Sequence, residues 1–191
     1  MRGKVIIAVF GMIFLLMSIT YAGILNYYGK IEGMAEVRGP IFYAGGHAEG
    51  VYYNLFINTP PIKEEVISLS NGNRIVFKTE PLGVNGFYKA RFDIHIWAKT
   101  SNPNSILQFK VFRIDSNQIE HEICTPAPIS VGATERFTHY HTNCTSEGEI
   151  SMSPDDSFGL EIHGVGGSTE YWIMTGHEYA EGYTRIEVSK A

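Results

Sequence analysis

The sequence predicts an all-β protein, a jelly-roll-like antiparallel β-sandwich preceded by an N-terminal hydrophobic helix. Apolar and polar residues alternate with a period of two through most of the chain, most clearly over residues 87–99. Turn signals built from Gly, Pro and Asn separate these runs at short intervals. Outside the N-terminus no stretch shows a sustained helical period. These features together predict many short strands packed in two sheets.

The first segment, residues 1–22, is predicted to be a signal peptide or a transmembrane anchor. Arg2 and Lys4 precede an apolar run over residues 5–22, and small residues precede a possible cleavage site after Ala22. Without cleavage, residues 5–25 are long enough to cross a membrane, with the basic residues on the cytoplasmic side. Either outcome places the rest of the chain on the outside, so we expect an extracellular or cell-surface location.

Composition agrees with one exported domain. Removal of the first 22 of 191 residues leaves about 169, which is enough for one domain with a core. We expect an extended strand or linker over 23–44 and the β-sandwich domain over 45–191. The net charge of -5 argues against a nucleic-acid partner. Aromatic residues make up 13% and charged residues only 18%, a composition common in β-rich surface proteins.

The two cysteines, Cys124 and Cys144, are predicted to form a disulfide, because an isolated pair in an exported domain is most simply bridged. The sequence contains no second cysteine pair and no Cys-x-x-Cys motif, so it does not suggest a zinc site instead. The run Asn143-Cys144-Thr145 is an N-glycosylation sequon, so Asn143 is a candidate glycosylation site. A bridged Cys144 would leave this asparagine partly shielded.

Alternation also locates the individual strands. In 87–99, the residues Phe92, Ile94 and Ile96 fall on one side, and Asp93 and His95 fall on the other, as in a half-buried strand. A Pro-Asp-Asp turn before the run at 158–163 resembles the penultimate hairpin of exported jelly-roll modules. The predicted strands are 51–57, 74–79, 87–99, 106–114, 118–123, 135–143, 158–163, 171–175 and 184–188.

The segment over residues 22–32 resembles the region that follows the signal peptide in the TasA and camelysin group of exported matrix proteins. Archaeal bundling pili belong to the same wider group. The resemblance implies a jelly-roll subunit of a cell-surface filament or biofilm matrix, which self-associates into a homopolymer. Its N-terminal strand would complete the sheet of a neighbouring subunit, with Ile31, Met34, Ala35 and Val37 filling pockets. The alternative is an ordinary linker or a first strand of the same subunit.

Several histidines and acidic residues are candidate metal ligands. His139 and His141 lie two apart in a predicted strand, so both leave the same face and could chelate zinc or copper with His121 or His163. Solvent-facing histidines on a sheet are commoner, and no metal site is predicted. The pair Asp155 and Asp156 could hold calcium with Asp115 or Glu161, but a solvated turn is the better interpretation.

No catalytic motif stands out, so the sequence predicts neither an enzyme nor a cofactor. Trp97 interrupts the polar face of the strand at 87–99, and Trp172 follows a Gly-rich turn. Both are candidate aromatic platforms for a ligand such as a glycan, although Trp97 could equally cover a subunit interface and Trp172 could lie in the core. The alternative to a filament subunit is therefore a membrane-anchored monomeric binding module for a glycan or a metal.

Overall fold

Twelve β-strands make up the regular structure in the part of the chain that the computed structural model describes, namely residues 38–49, 51–61, 64–166, 170–175 and 184–191. The strands are β1 Arg38–Glu49, β2 Tyr52–Ile57, β3 Val66–Ser70, β4 Arg74–Thr79, β5 Ala90–Thr100, β6 Ser105–Ile114, β7 Glu120–Cys124, β8 Ile129–Val131, β9 Thr138–Thr145, β10 Ser157–Val165, β11 Glu170–Met174 and β12 Arg185–Lys190.

These strands form two sheets that pack face to face as a β-sandwich. We call β3, β11, β5, β12 and β9 the first sheet, and β2, β4, β10, β6, β7 and β8 the second sheet. β1 lies between β12 and β2 in the hydrogen-bonded order and so connects the two. In the first sheet, β5 pairs with β9 along one edge and with β12 and then β11 along the other. β5 is therefore the central strand of its sheet.

The pairing of β2 with β4 is parallel and differs from the purely antiparallel sandwich that the sequence predicts. The physical reason is the position of β3, which follows β2 in the chain but pairs with β11 in the first sheet. The chain therefore crosses to the other sheet and returns before β4, which allows β2 and β4 to run in the same direction. The all-β sandwich is confirmed, whereas the jelly-roll order of connections stays a prediction.

Phenylalanine rings from both sheets meet at the centre of the core. Phe158 of β10 makes edge-to-face contacts with Phe92 of β5, with ring centroids 5.8 Å apart, and with Phe42 of β1 at 5.5 Å. Phe87 lies against the same ring at 5.4 Å. Such contacts add about 0.5–1.5 kcal/mol per pair beyond the burial of apolar area. They bring the inner faces of the two sheets together.

Tyr171 of β11 supplies the main polar contact between the sheets. Its side chain is fully buried, and its hydroxyl lies 2.8 Å from the carbonyl oxygen of Val165 and 3.0 Å from that of Ile106. The same hydroxyl accepts a hydrogen bond from the backbone N–H of Ile106. A hydroxyl buried at this depth needs such partners, because an unpaired polar group in the core costs about 1–3 kcal/mol.

The predicted disulfide is confirmed, and it joins the two sheets. Cys124 lies at the end of β7 in the second sheet, and Cys144 lies in β9 of the first sheet, with an S–S distance of 2.04 Å. β9 pairs only with β5 among the described strands. The bridge therefore fastens an edge strand of one sheet to an edge strand of the other.

All of the predicted strands are present, with bounds shifted by a few residues. β3 and β8 were not predicted, and β1 overlaps only the end of the strand or linker expected over 23–44. β8 and β3 are short, and β1 contains Pro and Gly residues that resemble turn signals. Gly39 has a specific role in β1, because a Cβ there would collide with the Val188 carbonyl and the Tyr88 hydroxyl. The sequence predicts that the linker ends at residue 44 and that the domain begins at residue 45. β1 continues across this predicted boundary, and the compact unit of the structure begins at Gly39.

The predicted N-terminal helix lies outside the described residues, as do the candidate membrane segment 5–25 and the assembly residues Ile31, Met34, Ala35 and Val37. Within the residues that are described, no helix is long and apolar enough to span a bilayer.

Reduction of the disulfide should lower the stability of the sandwich. The bridge closes a loop with a sequence separation of 20 residues, for which the chain-entropy estimate is about 3 kcal/mol. We expect the free energy of unfolding, measured by urea titration, to fall by about that amount in the presence of a reductant. A double variant with Cys124→Ser and Cys144→Ser should be insensitive to the reductant. Equal urea midpoints for the native chain with and without reductant would contradict this role.

Candidate functional site

Polar and aromatic side chains gather on the outer face of the first sheet, the face that points away from the core. In β5 every second residue is directed inward, and Phe92, Ile94 and Ile96 are at most 1% exposed. The residues between them are partly exposed and must leave the opposite face. This alternation places Asp93, His95, Trp97 and Lys99 in one row along the outer face.

Neighbouring strands add side chains to this row through their register. On β9, His141 lies opposite His95, and His139 lies opposite Trp97. On the other side of β5, Arg185 of β12 lies opposite His95. Residues directly opposite each other in adjacent strands project from the same face.

His95, His139 and His141 form a group that we call the histidine cluster. The His95 and His139 rings are nearly parallel, with centroids 5.3 Å apart, and Nδ1 of His95 lies 3.1 Å from Nε2 of His139. The centroid of the His141 ring lies 4.8 Å from that of the His95 ring. Trp97 extends the stack, because its ring centroid is 5.3 Å from that of His139.

Two carboxylates lie next to this cluster. Asp93 Oδ1 accepts a hydrogen bond from Nε2 of His141 at 3.1 Å and also receives the Arg91 guanidinium at 2.9 Å. Glu187 Oε1 lies 3.6 Å from Nε2 of His95 and is bound by Arg185 at 2.7 Å. Each carboxylate therefore faces one imidazole nitrogen and one arginine.

This environment shifts the pKa values of the cluster. Burial lowers the pKa of His95 to about 4, and the nearby Arg185 guanidinium adds to this effect. Burial and then Arg185 also lower the pKa of His139. For Asp93, burial opposes ionisation, but hydrogen bonds from Arg91 and His141 outweigh it and lower the carboxyl pKa. At neutral pH the imidazole rings of His95 and His139 are therefore uncharged.

A shallow groove of about 540 Å³ lies at the far end of the same face. Trp172 of β11 lies opposite Lys99 of β5, and the Lys99 ammonium sits 5.6 Å from the centroid of the Trp172 ring. The same ammonium lies 4.9 Å from the Phe137 ring centroid. The groove is lined by Lys99, Thr100, Ser101, Ala133, Thr134, Glu135 and Trp172.

The two tryptophans singled out in the sequence thus share one surface. Trp97 precedes Lys99 by two positions in β5, and Trp172 faces Lys99 from β11. This is a diagonal relation across two neighbouring strands, for which Cα atoms are typically about 7–8 Å apart. Trp97 is half-buried on the outer face, and its indole N–H is buried with no hydrogen-bond partner among the described residues. Neither tryptophan belongs to the central core.

His121 and His163, the candidate third ligands, lie in the second sheet on β7 and β10. His121 pairs with Asp115 at 2.9 Å. The side chain that joins His139 and His141 is His95, which the alternation over 87–99 had already assigned to the polar side. The strand that carries His95 pairs with β9, which lies far away in the sequence. The spacing of residues along the chain does not predict such a long-range contact. In the described part of the chain, no group of three or more His, Cys, Asp or Glu side chains is arranged so that it could hold a metal ion.

Three of the four candidate calcium ligands are occupied by protein groups. Asp156 is buried, accepts the backbone N–H of Ser153, and pairs with Arg113 at 3.0 Å. Glu161 pairs with Arg74 at 2.7 Å. Asp115 accepts backbone N–H groups in its own turn, and its pKa is lowered first by the His121 hydrogen bond. Asp155 is exposed in the turn. These residues stabilise turns and strand pairs.

Asn143 is exposed on β9, whereas the neighbouring Cys144 is directed toward its disulfide partner. Alternation therefore separates the sequon asparagine from the bridge, and the disulfide does not cover it. Asn143 lies opposite Asp93 in the register. A glycan attached at Asn143 would extend from the same outer face as the histidine cluster.

No protein-family model matches the chain, and no curated protein matches it. Solved structures with a similar fold include a CocE/NonD family hydrolase from Staphylococcus aureus, with 9% identity and a TM-score of 0.60 over 79% of this chain. An aminopeptidase from a marine sediment Thaumarchaeota archaeon matches with 9% identity and a TM-score of 0.56 over 77% of this chain. At this level of identity the likeness concerns the fold alone.

The chain spans only 36% of the length of each of these two proteins. A carbohydrate binding module from Cellvibrio mixtus lichenase 5A, solved with cellotriose, also aligns with 79% of this chain and 96% of its own, at 14% identity. Its TM-score of 0.37 is too low to indicate a shared fold.

Stability should fall in acid because of His95. Its pKa is about 4 in the folded protein and ordinarily 6.5, so the unfolded chain binds the proton more tightly than the folded chain. The free energy of unfolding should therefore decrease as the pH falls from about 6.5 to about 4. The groups that face His95 are Arg185 and Glu187 from β12, His139 and His141 from β9, and Asp93 from β5.

The measurement is a series of urea titrations across this pH range in the presence of EDTA. His95→Gln should flatten the pH dependence, because the side chain that titrates differently in the two states is gone. His163→Gln, on the second sheet, serves as the matched control and should keep the native slope. Identical slopes for His95→Gln and the native chain would contradict the assignment.

Proposed function

We propose that this chain is an exported binding module that holds a glycan on the outer face of its first sheet. The observation that carries the proposal is the placement of Trp97 and Trp172 on one surface, where Trp172 lies opposite Lys99 and lines a groove of about 540 Å³. Aromatic rings on an outer face offer a flat apolar surface against which the C–H face of a sugar ring can pack.

The polar groups of the groove suit a ligand that is rich in hydroxyl groups. Lys99 is a donor, Glu135 is an acceptor when ionised, and the Ser101 and Thr134 hydroxyls can act as either. A few polar groups beside an apolar surface are typical of sites that orient a small ligand. The shallow shape fits a ligand that lies along the surface.

Export is supported by the disulfide, because such bridges persist in oxidising compartments. The predicted signal peptide or anchor over residues 1–22 agrees with this location, and so does the exposed sequon at Asn143. We therefore propose an extracellular or cell-surface location. That the chain is not an enzyme stays a prediction.

Assembly into a filament or matrix is a second proposal, and one feature of the fold favours it. Among the described strands, β9 pairs only with β5, so its other edge is open to an added strand. A strand from a neighbouring subunit could pair there by β-augmentation. The donor residues proposed for this, Ile31, Met34, Ala35 and Val37, lie outside the described part of the chain.

Glycan binding can be tested by affinity electrophoresis in gels that contain soluble β-glucan, xylan, mannan or pectin. We expect retardation in at least one gel, and Trp172→Ala should weaken the apparent affinity by about tenfold or more, since buried aromatic anchors dominate binding energy. Trp97→Ala should weaken it as well. Phe56→Ala, which removes an exposed aromatic ring outside the first sheet, is the matched control.

No retardation in any of the gels would overturn the glycan proposal. Equal retardation of Trp172→Ala and the Phe56→Ala control would also overturn it. A thermal melt of each variant separates a loss of binding from a loss of fold.

Filament assembly has its own test. Negative-stain microscopy of the mature protein should show fibres, and deletion of residues 31–38 should abolish them. A protein that stays monomeric at high concentration, with a stability unaffected by the deletion, would contradict assembly through this segment. Glycan binding would be unaffected by that result.

A further inference from the structure

We propose that the ligand of the groove is an acidic glycan, a polysaccharide whose uronic-acid carboxylates are bound by the Lys99 ammonium. This inference rests on the proposed glycan binding and adds the charge of the ligand to it. Three features of the outer face support it, namely the partners of its cations, the aromatic rings beside Lys99, and the hydrogen-bonding capacity of the ammonium.

The cations on the outer face of the first sheet differ in their partners. The Arg91 guanidinium lies 2.9 Å from Asp93, and the Arg185 guanidinium lies 2.7 Å from Glu187. Lys99 instead contacts two aromatic rings and a backbone carbonyl, and no carboxylate forms a salt bridge with it in the part of the chain that the structure describes. The positive charge of Lys99 is therefore available to an anionic ligand.

Two aromatic rings hold the Lys99 ammonium beside the groove. The ammonium lies 4.9 Å from the Phe137 ring centroid and 5.6 Å from that of Trp172. Both distances are within the range of about 6 Å over which a cation is attracted to an aromatic ring. Because these contacts already restrict the long side chain, less rotamer freedom is lost when an anion binds to it.

The ammonium also has hydrogen-bond donors to spare. A lysine ammonium carries three N–H donors. Among the described residues the one acceptor for them is the backbone carbonyl oxygen of Glu135, at a long distance of 3.5 Å. A carboxylate on a bound sugar can accept the remaining N–H groups, while the sugar ring packs against Trp172. A neutral glycan would leave this charge without a partner.

The balance of charge in the groove favours a carboxylate over a dense array of sulfates. Lys99 and Glu135 are the charged residues that line the groove. One ammonium beside one carboxylate suits a ligand with single, separated charges, because a densely sulfated polymer brings more negative charge than Lys99 neutralises. The Glu135 side chain is exposed, so its charge opposes an anionic ligand and limits the affinity.

The test is calorimetric titration of the full-length protein with polygalacturonate and with highly methyl-esterified pectin. The two polymers share a backbone, but esterification neutralises most carboxylates of the second. We expect tighter binding of polygalacturonate, and added NaCl should weaken it, because salt screens an exposed ion pair. Lys99→Met should weaken the binding of polygalacturonate by about fivefold, the upper range for an exposed ion pair, and should leave the binding of the ester nearly unchanged.

Three further variants separate this role from a general effect of charge. Lys99→Arg keeps the positive charge and should retain most of the affinity. Lys190→Met removes the same charge at the other end of the sheet, where Lys190 lies opposite Ala90 at the start of β5, and should bind as the native chain does. Glu135→Gln should strengthen the binding of polygalacturonate. A thermal melt of each variant detects any loss of fold.

The outcomes distinguish the charge of the ligand from glycan binding itself. Equal affinity of the native chain for polygalacturonate and for the ester would overturn the acidic-glycan inference and leave glycan binding in place. An equal effect of Lys99→Met and Lys190→Met would do the same. Tighter binding of dextran sulfate than of polygalacturonate would contradict the assignment to carboxylates. Absence of binding to these polymers and to neutral glycans would overturn both proposals.

Discussion

The outer face of the first sheet depends on one constraint, the hydrogen bonding of β5 along both of its edges. β9 occupies one edge, and β12 and β11 share the other. Because the register is held from both sides, a slip of one residue would turn Phe92, Ile94 and Ile96 out of the core. The same register directs His95, Trp97 and Lys99 to the opposite face. Core and candidate site are therefore two consequences of the same strand pairing.

The contacts between the sheets determine how firmly this arrangement is held. Phe158 packs against rings from the first sheet, and Tyr171 hydrogen-bonds across to the second. β9 has a partner on only one edge among the described strands, and its cysteine is bridged to β7. That bridge holds the strand that carries His139 and His141. The disulfide thus stabilises both the fold and the position of two members of the histidine cluster.

Charge distribution on this face explains why the half-buried imidazole of His95 is tolerated there. His95 is neutral at pH 7 because burial and Arg185 oppose its protonation. The carboxylates of Asp93 and Glu187 are each compensated by an arginine, so ionised groups do not stay unpaired beside the rings. Trp172 and Lys99 lie at the other end of the face, where they line the shallow groove.

The amino-acid sequence by itself determined the all-β class, the main strands, the disulfide between Cys124 and Cys144, and the inward and outward sides of β5. These properties follow from local alternation, turn residues and cysteine number, which act over a few residues. Only the tertiary structure decided that β2 and β4 pair in parallel and that His95 joins His139 and His141. It also decided that Trp97 and Trp172 share one face. Such relations arise from pairing between strands far apart in the chain, and alternation within one strand does not specify its partner.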